Sequence, residues 1–223
     1  MQSDSEIEFT MRCIRGLAGS KLALRCAAAI LSVTLLGCSS AQAADTFAYL
    51  LRGWFGVFST GMDELATELN SHGVKANTIG HLSWKSTVSK ILRDKASGEL
   101  GALVLVGHSQ GAINVIEIAR ALEPHKIPVD LLVTLVPSMQ NPVPANVIRA
   151  LNFYQNPGWG APLIANRDFR GKLSNIDLAS DLTVFHITID KNAKVQAEIV
   201  RAVLAIPKSG GGHPNGSSKR EAL

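Results

Sequence analysis

One pentapeptide in the sequence has the residue types and the spacing of a serine nucleophile: Gly107-His108-Ser109-Gln110-Gly111. It follows an apolar run at 102–106 and precedes an apolar stretch of helical spacing, which predicts a tight turn from a strand into a helix. Such a turn strains the backbone of Ser109, and side chains two residues to either side would collide. Glycines at 107 and 111 remove those collisions and leave the Ser109 hydroxyl projecting from the sheet. The pattern therefore indicates nucleophilic chemistry at Ser109.

A serine hydroxyl needs a base to take its proton, and histidine is the side chain that most often does so. Three histidines follow the nucleophile: His125, His186 and His213. In sites of this kind an acid comes between the nucleophile and the base in chain order, and His125 leaves no room for one. His213 lies in a Gly- and Ser-rich tail. His186, after a predicted short strand at 182–185, is therefore the predicted base.

Three aspartates precede His186 at positions from which one could orient it: Asp168, Asp177 and Asp181. The sequence favours Asp177, because its segment is expected beside the strand that bears the histidine. Asp168 is the alternate, since it lies nearer the loop that usually supplies the acid. Asp190 follows the histidine and is predicted to be the N-cap of the last helix.

The negative charge that develops on a substrate oxygen needs two backbone N–H donors. One is expected from Gln110, directly after the nucleophile. The other is expected from Trp54, in the loop after a predicted strand at 47–51, with Phe55 as the alternate. Gly53 permits the close turn that such a donor requires.

The elements that must position these residues alternate along the chain between strands and helices. Strands are predicted at 47–51, 75–79, 102–106, 129–136, 147–154 and 182–185. Helices are predicted from a capping box at Thr60 and Asp63 to Gly73, then at 84–96 after a Ser83 cap, at 111–122 and at 193–205. The alternation predicts an α/β fold with an open, mostly parallel sheet covered by helices on both faces. The connection at 137–147 is too short for a cap domain.

Composition narrows the possible functions. The 223 residues are 46% hydrophobic and 18% charged, which is typical of a globular chain and excludes disorder. The net charge of +4 arises mainly at the two ends, and with aromatics at 5% it argues against nucleic-acid binding. All three cysteines, Cys13, Cys26 and Cys38, precede the predicted domain, so that domain has no thiolate nucleophile or cysteine metal site. No metal is expected.

The N-terminal residues have the three parts of an export signal: basic side chains, an apolar run at 26–36 and small residues. Leu35-Leu36-Gly37-Cys38 resembles a bacterial lipobox, which would lipidate Cys38 and anchor the chain to a membrane. Ala41-Gln42-Ala43 would instead suit ordinary signal cleavage. The expected location is the bacterial cell envelope or periplasm, or outside the cell. The predicted division is an export segment at 1–43, a domain at 44–206 and a flexible tail at 207–223.

With the strand-to-helix turn, the Gly53-Trp54 pair and the late His186, the chain resembles the α/β-hydrolase superfamily over residues 47–206. It is most similar to the small lipases and esterases without a lid. The resemblance implies hydrolysis of small-molecule carboxylic esters or thioesters through an acyl-serine, with no cofactor.

Two positions depart from the family pattern. Arg52 stands where these families often have a histidine, and no acid directly follows the predicted strand that ends at Tyr154. Two alternative interpretations therefore remain: a non-catalytic binding protein with a hydrolase fold, and an acyltransferase.

Overall fold

The computed structural model describes residues 45–54, 56 and 59–207, and within them six strands pair side by side. The strands are β1 (Asp45–Arg52), β2 (Lys75–Gly80), β3 (Leu100–His108), β4 (Leu131–Leu135), β5 (Arg149–Tyr154) and β6 (Lys172–Asp177). The helices are α1 (Gly61–Ser71), α2 (Trp84–Ala96), α3 (Gln110–Leu122) and α4 (Ala193–Leu204). The sheet order is β2-β1-β3-β4-β5-β6 and each of these pairings is parallel, which confirms the predicted α/β architecture.

Several predicted features lie outside the described residues. These are the export segment at 1–43 with its lipidation site Cys38, the oxyanion alternate Phe55, and the tail beyond residue 207. In the part of the chain that is described, no helix has the length and apolarity needed to cross a membrane.

The central strands β1 and β3 are apolar because both of their faces are covered. Leu50 and Val106 pack in a cluster with apolar side chains of α1 and α4. Their neighbours Leu51 and Leu105 pack on the other face with α2 and α3. All four side chains are fully buried, and burying a residue of this size contributes about 1.5–3 kcal/mol. Continuous apolar runs are therefore what a doubly covered parallel strand requires.

The first helix begins where the sequence predicts, but its N-terminus is stabilised differently. The Thr60 side chain forms no capping hydrogen bond, so the predicted capping box with Asp63 is wrong. Asp63 instead pairs with Arg52 of β1, and the Gly61 N–H donates to Oδ2 of the distant Asp190 at 2.9 Å. At the other end Gly73 has a φ of 80°, the left-handed conformation that its position after the helix predicts.

Beyond β5 the structure differs from the sequence prediction. No strand forms at 182–185, where turns leave Leu182 82% and Phe185 54% exposed. The last strand is instead β6, whose alternating polar residues do not look like a buried strand. β6 lies at the edge of the sheet, and each of its residues is exposed or only partly buried, so neither of its faces has to be apolar.

A ladder of polar side chains holds β6 in register. Thr134 on β4, Asn152 on β5 and Asn175 on β6 lie at paired positions of three neighbouring strands. The Thr134 hydroxyl donates to Asn152 Oδ1 at 2.8 Å, and Asn152 Nδ2 donates to Asn175 Oδ1 at 2.8 Å. Asn175 Nδ2 in turn donates to the Leu163 carbonyl at 3.0 Å. Asn152 is completely buried, so these hydrogen bonds replace its contacts with water.

The last helix is capped by a different residue from the one predicted. Asn192 accepts from the N–H groups of Lys194 and Val195 at 3.1 and 3.2 Å, which is the usual geometry of an N-cap. Asp190, the predicted cap, is buried two residues earlier and faces α1 instead.

The connection from β4 to β5 contains no helix or strand within residues 136–148, all of which are described. The prediction that no cap domain covers this edge of the sheet is confirmed.

Replacing Asn152 with Ala should lower the free energy of unfolding by about 2 kcal/mol or more, because partners on both sides lose a buried hydrogen bond. Asn77→Ala, at an exposed position of β2, is the matched control and should change it by less than about 0.5 kcal/mol. Urea unfolding followed by circular dichroism measures both values. Equal stability of the two variants would contradict the role given to the ladder.

Candidate active site

The turn between β3 and α3 holds Ser109 in a conformation that few residues adopt. Its φ is 56° and its ψ is −118°, a strained combination for a residue with a side chain. A Cβ on Gly107 would lie 2.3 Å from the Gly111 carbonyl oxygen, and a Cβ on Gly111 would lie 2.2 Å from the Leu51 carbonyl oxygen. The two glycines are therefore required by the close packing of the turn on itself and on β1.

The structure brings His186 to this serine. His186 Nε2 lies 3.0 Å from Ser109 Oγ, which is within hydrogen-bond distance. The Trp159 ring packs against the imidazole at a centroid distance of 4.9 Å and a tilt of 50°. The two residues are 77 positions apart in the chain. Ser109 directly follows β3, and His186 lies in the irregular segment after β6.

The structure does not bring either predicted acid to His186. Asp177 ends β6, and its Oδ1 accepts from the N–H groups of Asn156 at 3.2 Å and Ala179 at 2.9 Å. Its carboxylate therefore caps a turn at the sheet edge. Asp168 is exposed in the loop before β6. Among the described residues, no carboxylate forms a hydrogen bond or ion pair with His186.

The buried acid of this region is Asp190, which sequence reasoning assigned to a helix cap. Its side chain is fully buried, accepts from the Gly61 N–H and lies 3.3 Å from Lys191 Nζ. Burial lowers the pKa of both His186 and His108, and the negative charge of Asp190 opposes that lowering at each ring. Only its place four residues after the predicted base could have drawn attention to it.

His108, next to Ser109, is a second buried titratable residue of this site that the sequence analysis did not single out. It is 2% exposed, and its Nε2 lies 2.7 Å from the main-chain carbonyl oxygen of His186. A carbonyl only accepts, so Nε2 carries the hydrogen and Nδ1 accepts from the Ser59 hydroxyl at 2.7 Å. Ser59 Oγ also accepts from the Gly53 N–H at 3.1 Å. The signal in the sequence was a polar residue ending an otherwise apolar strand.

Burial keeps both imidazoles in the neutral form near neutral pH. It is the largest influence on His186 and lowers its pKa below the ordinary 6.5, and the neighbouring His108 acts in the same direction. Burial also lowers the pKa of His108. A neutral His186 can accept a proton from Ser109, so the electrostatics suit a base.

The loop after β1 lies against the nucleophile. A Cβ on Gly53 would be 3.0 Å from Ser109 Cβ, so the backbone approaches as closely as a glycine allows. Trp54 follows it, and Gln110 is the first residue of α3. Both expected oxyanion donors therefore belong to segments beside Ser109, and their role stays a prediction.

Two cavities meet at Trp54. The smaller, of about 190 Å³, contains the nucleophile and the histidines and is lined by Gly53, Trp54, Ser59, His108, Ser109, His186 and Ile187. The larger, of about 430 Å³, is lined by Trp54, His81, Leu82, Trp84, Lys85, Gln110 and Asn114. The second lining contains a cationic lysine and no acid. No group of three or more metal-ligating side chains that could hold an ion occurs in the described part of the chain.

Comparison with known proteins finds no protein-family model and no curated protein that matches the sequence. Among solved structures, the chain is similar to a protein from Xanthomonas campestris pv. campestris that is described as a hydrolase of the alpha/beta superfamily. The two share 17% identity with a TM-score of 0.37, and the match covers 71% of this chain and 95% of that one. It is also similar to the RedJ thioesterase from the prodiginine pathway of Streptomyces coelicolor, at 11% identity and a TM-score of 0.45, covering 72% and 91%. A third is Est1E from Butyrivibrio proteoclasticus, at 12% identity and a TM-score of 0.42, covering 74% and 91%. Sequence identities and TM-scores this low assign no activity to this chain.

Replacing Asp190 with Asn should lower the pKa of His186 further, because the negative charge of Asp190 favours the protonated imidazole. The Asn side chain still offers an acceptor to the Gly61 N–H. Asp177→Asn and Asp168→Asn are matched controls and should leave the titration unchanged. The midpoint is read from the His186 imidazole signal by NMR, and it should lie below 6.5 in the unmodified protein. A shift in Asp177→Asn but not in Asp190→Asn would contradict this account.

Proposed function

We propose that this chain is a serine hydrolase that cleaves small-molecule carboxylic esters or thioesters through an acyl-serine intermediate. The observation that carries the proposal is the 3.0 Å separation between His186 Nε2 and Ser109 Oγ, on a serine whose backbone is strained. A strained conformation persists only where the surrounding structure holds it, and such conformations cluster at functional sites. A histidine that is buried only for stability would not require, as its hydrogen-bond partner, a serine whose backbone is strained.

The first half of the reaction forms the acyl-serine. Ser109 Oγ bonds to the substrate carbonyl carbon while its proton passes to His186 Nε2, and the carbonyl oxygen becomes an oxyanion. The N–H groups of Gln110 and Trp54 are the proposed donors to that oxyanion. When the carbonyl re-forms, the bond to the alcohol or thiol breaks, and His186 returns its proton to the leaving group.

The second half releases the acid. Water attacks the acyl carbon and gives a proton to His186 Nε2, and the bond to Ser109 Oγ then breaks as that oxygen regains the proton. The products are a carboxylic acid and the free enzyme. Each step moves protons and electron pairs between the substrate, water and two side chains, and none needs a redox partner.

The base works without a hydrogen-bonded acid in this proposal. In a triad the acid selects the imidazole tautomer that leaves Nε2 free to accept, and exchanging it for an amide lowers kcat about 10⁴-fold. Here the buried charge of Asp190 favours the imidazolium that forms in the transition state, although it does not contact the ring. We therefore expect turnover that depends on Ser109 but is slower than that of a complete triad.

The cavities favour small acyl substrates. The reacting carbonyl would lie in the 190 Å³ cavity beside Ser109, and a further part of the substrate would extend past Trp54 into the 430 Å³ cavity. Tryptophan faces and Leu82 supply apolar contact there, and Lys85 offers a charge to an anionic group. A ligand that fills both spaces is of metabolite size.

A second candidate function is a non-catalytic binding protein with the same fold. The observation that favours it is that neither Asp177 nor Asp168 contacts His186. Such a protein would bind acyl compounds in the same cavities and would not turn them over.

Cellular location is proposed from the sequence alone. The lipobox-like Leu35-Leu36-Gly37-Cys38 at the end of an apolar run favours export and lipidation at Cys38, with ordinary cleavage after Ala43 as the alternative.

Hydrolysis of p-nitrophenyl acetate, butyrate and octanoate by the purified domain tests the proposal. Ser109→Ala and His186→Gln should each lower kcat/KM by at least about a thousandfold, because the nucleophile and its base act as a unit. Activity should fall on the acid side with a midpoint below 6.5, since His186 must be neutral and burial lowers its pKa. His125→Gln, at an exposed position away from both cavities, is the matched control and should keep its activity. A folded protein whose activity equals that of Ser109→Ala would favour the binding protein.

A further inference from the structure

One buried imidazole contacts two of the segments that the proposed reaction uses. His108 ends β3, and its two ring nitrogens point in opposite directions. Nε2 donates to the main-chain carbonyl of His186, and Nδ1 accepts from the Ser59 hydroxyl, each at 2.7 Å. Because the His108 side chain is only 2% exposed, water does not compete for either hydrogen bond.

The bond to the carbonyl fixes the backbone from which the His186 ring projects. The segment at 178–192 contains no helix apart from a single 3₁₀ turn and no strand. Its position therefore depends on the burial of Val184 and Ile189 in the core and on hydrogen bonds such as this one. Asp190 attaches the segment to α1 through the Gly61 N–H, and His108 attaches it beside the nucleophile. The distance from His186 Nε2 to Ser109 Oγ is therefore set partly by the residue adjacent to the nucleophile.

The bond to Ser59 reaches the proposed oxyanion loop. Ser59 Oγ accepts the Gly53 N–H at 3.1 Å, and Gly53 lies against Ser109. This contact fixes the Arg52–Gly53 peptide, which is one peptide before the one that carries the Trp54 N–H, the proposed second oxyanion donor. The chain of hydrogen bonds thus runs from Gly53 through Ser59 and His108 to His186.

We propose that His108 is a positioning residue that holds the base and the oxyanion loop in register with Ser109, in place of an acid, since no carboxylate within residues 45–54, 56 and 59–207 forms a hydrogen bond with His186. The inference rests on the proposed function. A triad acid forms a hydrogen bond with Nδ1 of the imidazole, whereas His108 forms one with the main-chain carbonyl of His186. That bond fixes where the base lies but not which tautomer it adopts.

The positioning role requires that His108 be neutral. The rings of His108 and His186 lie 5.3 Å apart, so a charged His108 would repel the imidazolium that forms on His186 during the reaction. Burial holds the pKa of His108 below its ordinary value, which leaves it neutral when His186 accepts a proton.

Two amide variants of similar size separate the two hydrogen bonds. In His108→Gln the longer side chain can place an N–H near the position of Nε2 and reach the His186 carbonyl. In His108→Asn the shorter side chain can reach Ser59 but not that carbonyl. The account predicts that kcat for p-nitrophenyl butyrate falls about 10–100-fold in His108→Asn with little change in KM, because small displacements of reacting groups cost that much. His108→Gln should lose clearly less.

Ser59→Ala provides a second, smaller change that keeps His108. It removes the acceptor for the Gly53 N–H and the donor to Nδ1, and it should lower kcat about tenfold. Combined with His108→Asn, its effect should be less than multiplicative, because the two residues belong to one hydrogen-bonded chain. Urea unfolding of each variant shows whether the protein assayed is folded.

The outcomes separate this inference from the proposed function. If the unmodified protein has no Ser109-dependent activity, the proposed function fails. If it has that activity, equal losses in His108→Asn and His108→Gln, or no loss in either, overturn the positioning role. Should neither His108 variant fold, Ser59→Ala decides the matter: unchanged kcat in that folded variant also overturns it.

Discussion

The contact on which the rest of the site depends is the packing of α3 against the end of β1. Gly111 lies so close to the Leu51 carbonyl that a Cβ there would be 2.2 Å from its oxygen. This contact fixes the helix start directly behind Ser109 and forces the serine into its strained backbone, at a cost of about 1–3 kcal/mol. Apolar burial along β1 and β3 on both faces of the sheet stabilises the arrangement by much more.

Once Ser109 is fixed, the other groups are positioned relative to the end of the same strand. The base lies in a segment without regular structure, and the proposed oxyanion loop follows a different strand, yet both connect to β3 through His108. Electrostatics follow from the same burial. Burial lowers the pKa of both imidazoles, and the buried carboxylate of Asp190, whose charge opposes that lowering, also accepts the Gly61 N–H at the start of α1. In the proposed reaction, the positioning and the negative charge that a single acid supplies in a triad come from two residues, His108 and Asp190.

Local patterns in the sequence were enough to predict the central strands and the turn at Ser109. His186 was singled out by elimination among the histidines after Ser109, and the strand expected directly before it does not form. The sequence did not predict β6, since its polar residues pair through Asn152 and Asn175 rather than through an apolar face. It misplaced the caps of α1 and α4 because the Gly61 N–H uses a carboxylate 129 residues away. The sequence also could not show the partners of the predicted acid: Asp177 lies at the expected edge, but its Oδ1 accepts from two nearby backbone N–H groups. Contacts between distant segments leave no periodic signal in a sequence.

The central claim is that Ser109 is an activated nucleophile although, in the part of the chain that the structure describes, no carboxylate forms a hydrogen bond with its base. Labelling of the folded domain with a fluorophosphonate, read by intact mass and peptide mapping, tests this most directly because it needs no knowledge of the substrate. The account predicts one adduct, on the peptide that contains Ser109, absent in Ser109→Ala and formed much more slowly in His186→Gln. A folded protein that remains unlabelled, or that labels equally with and without Ser109, would contradict it.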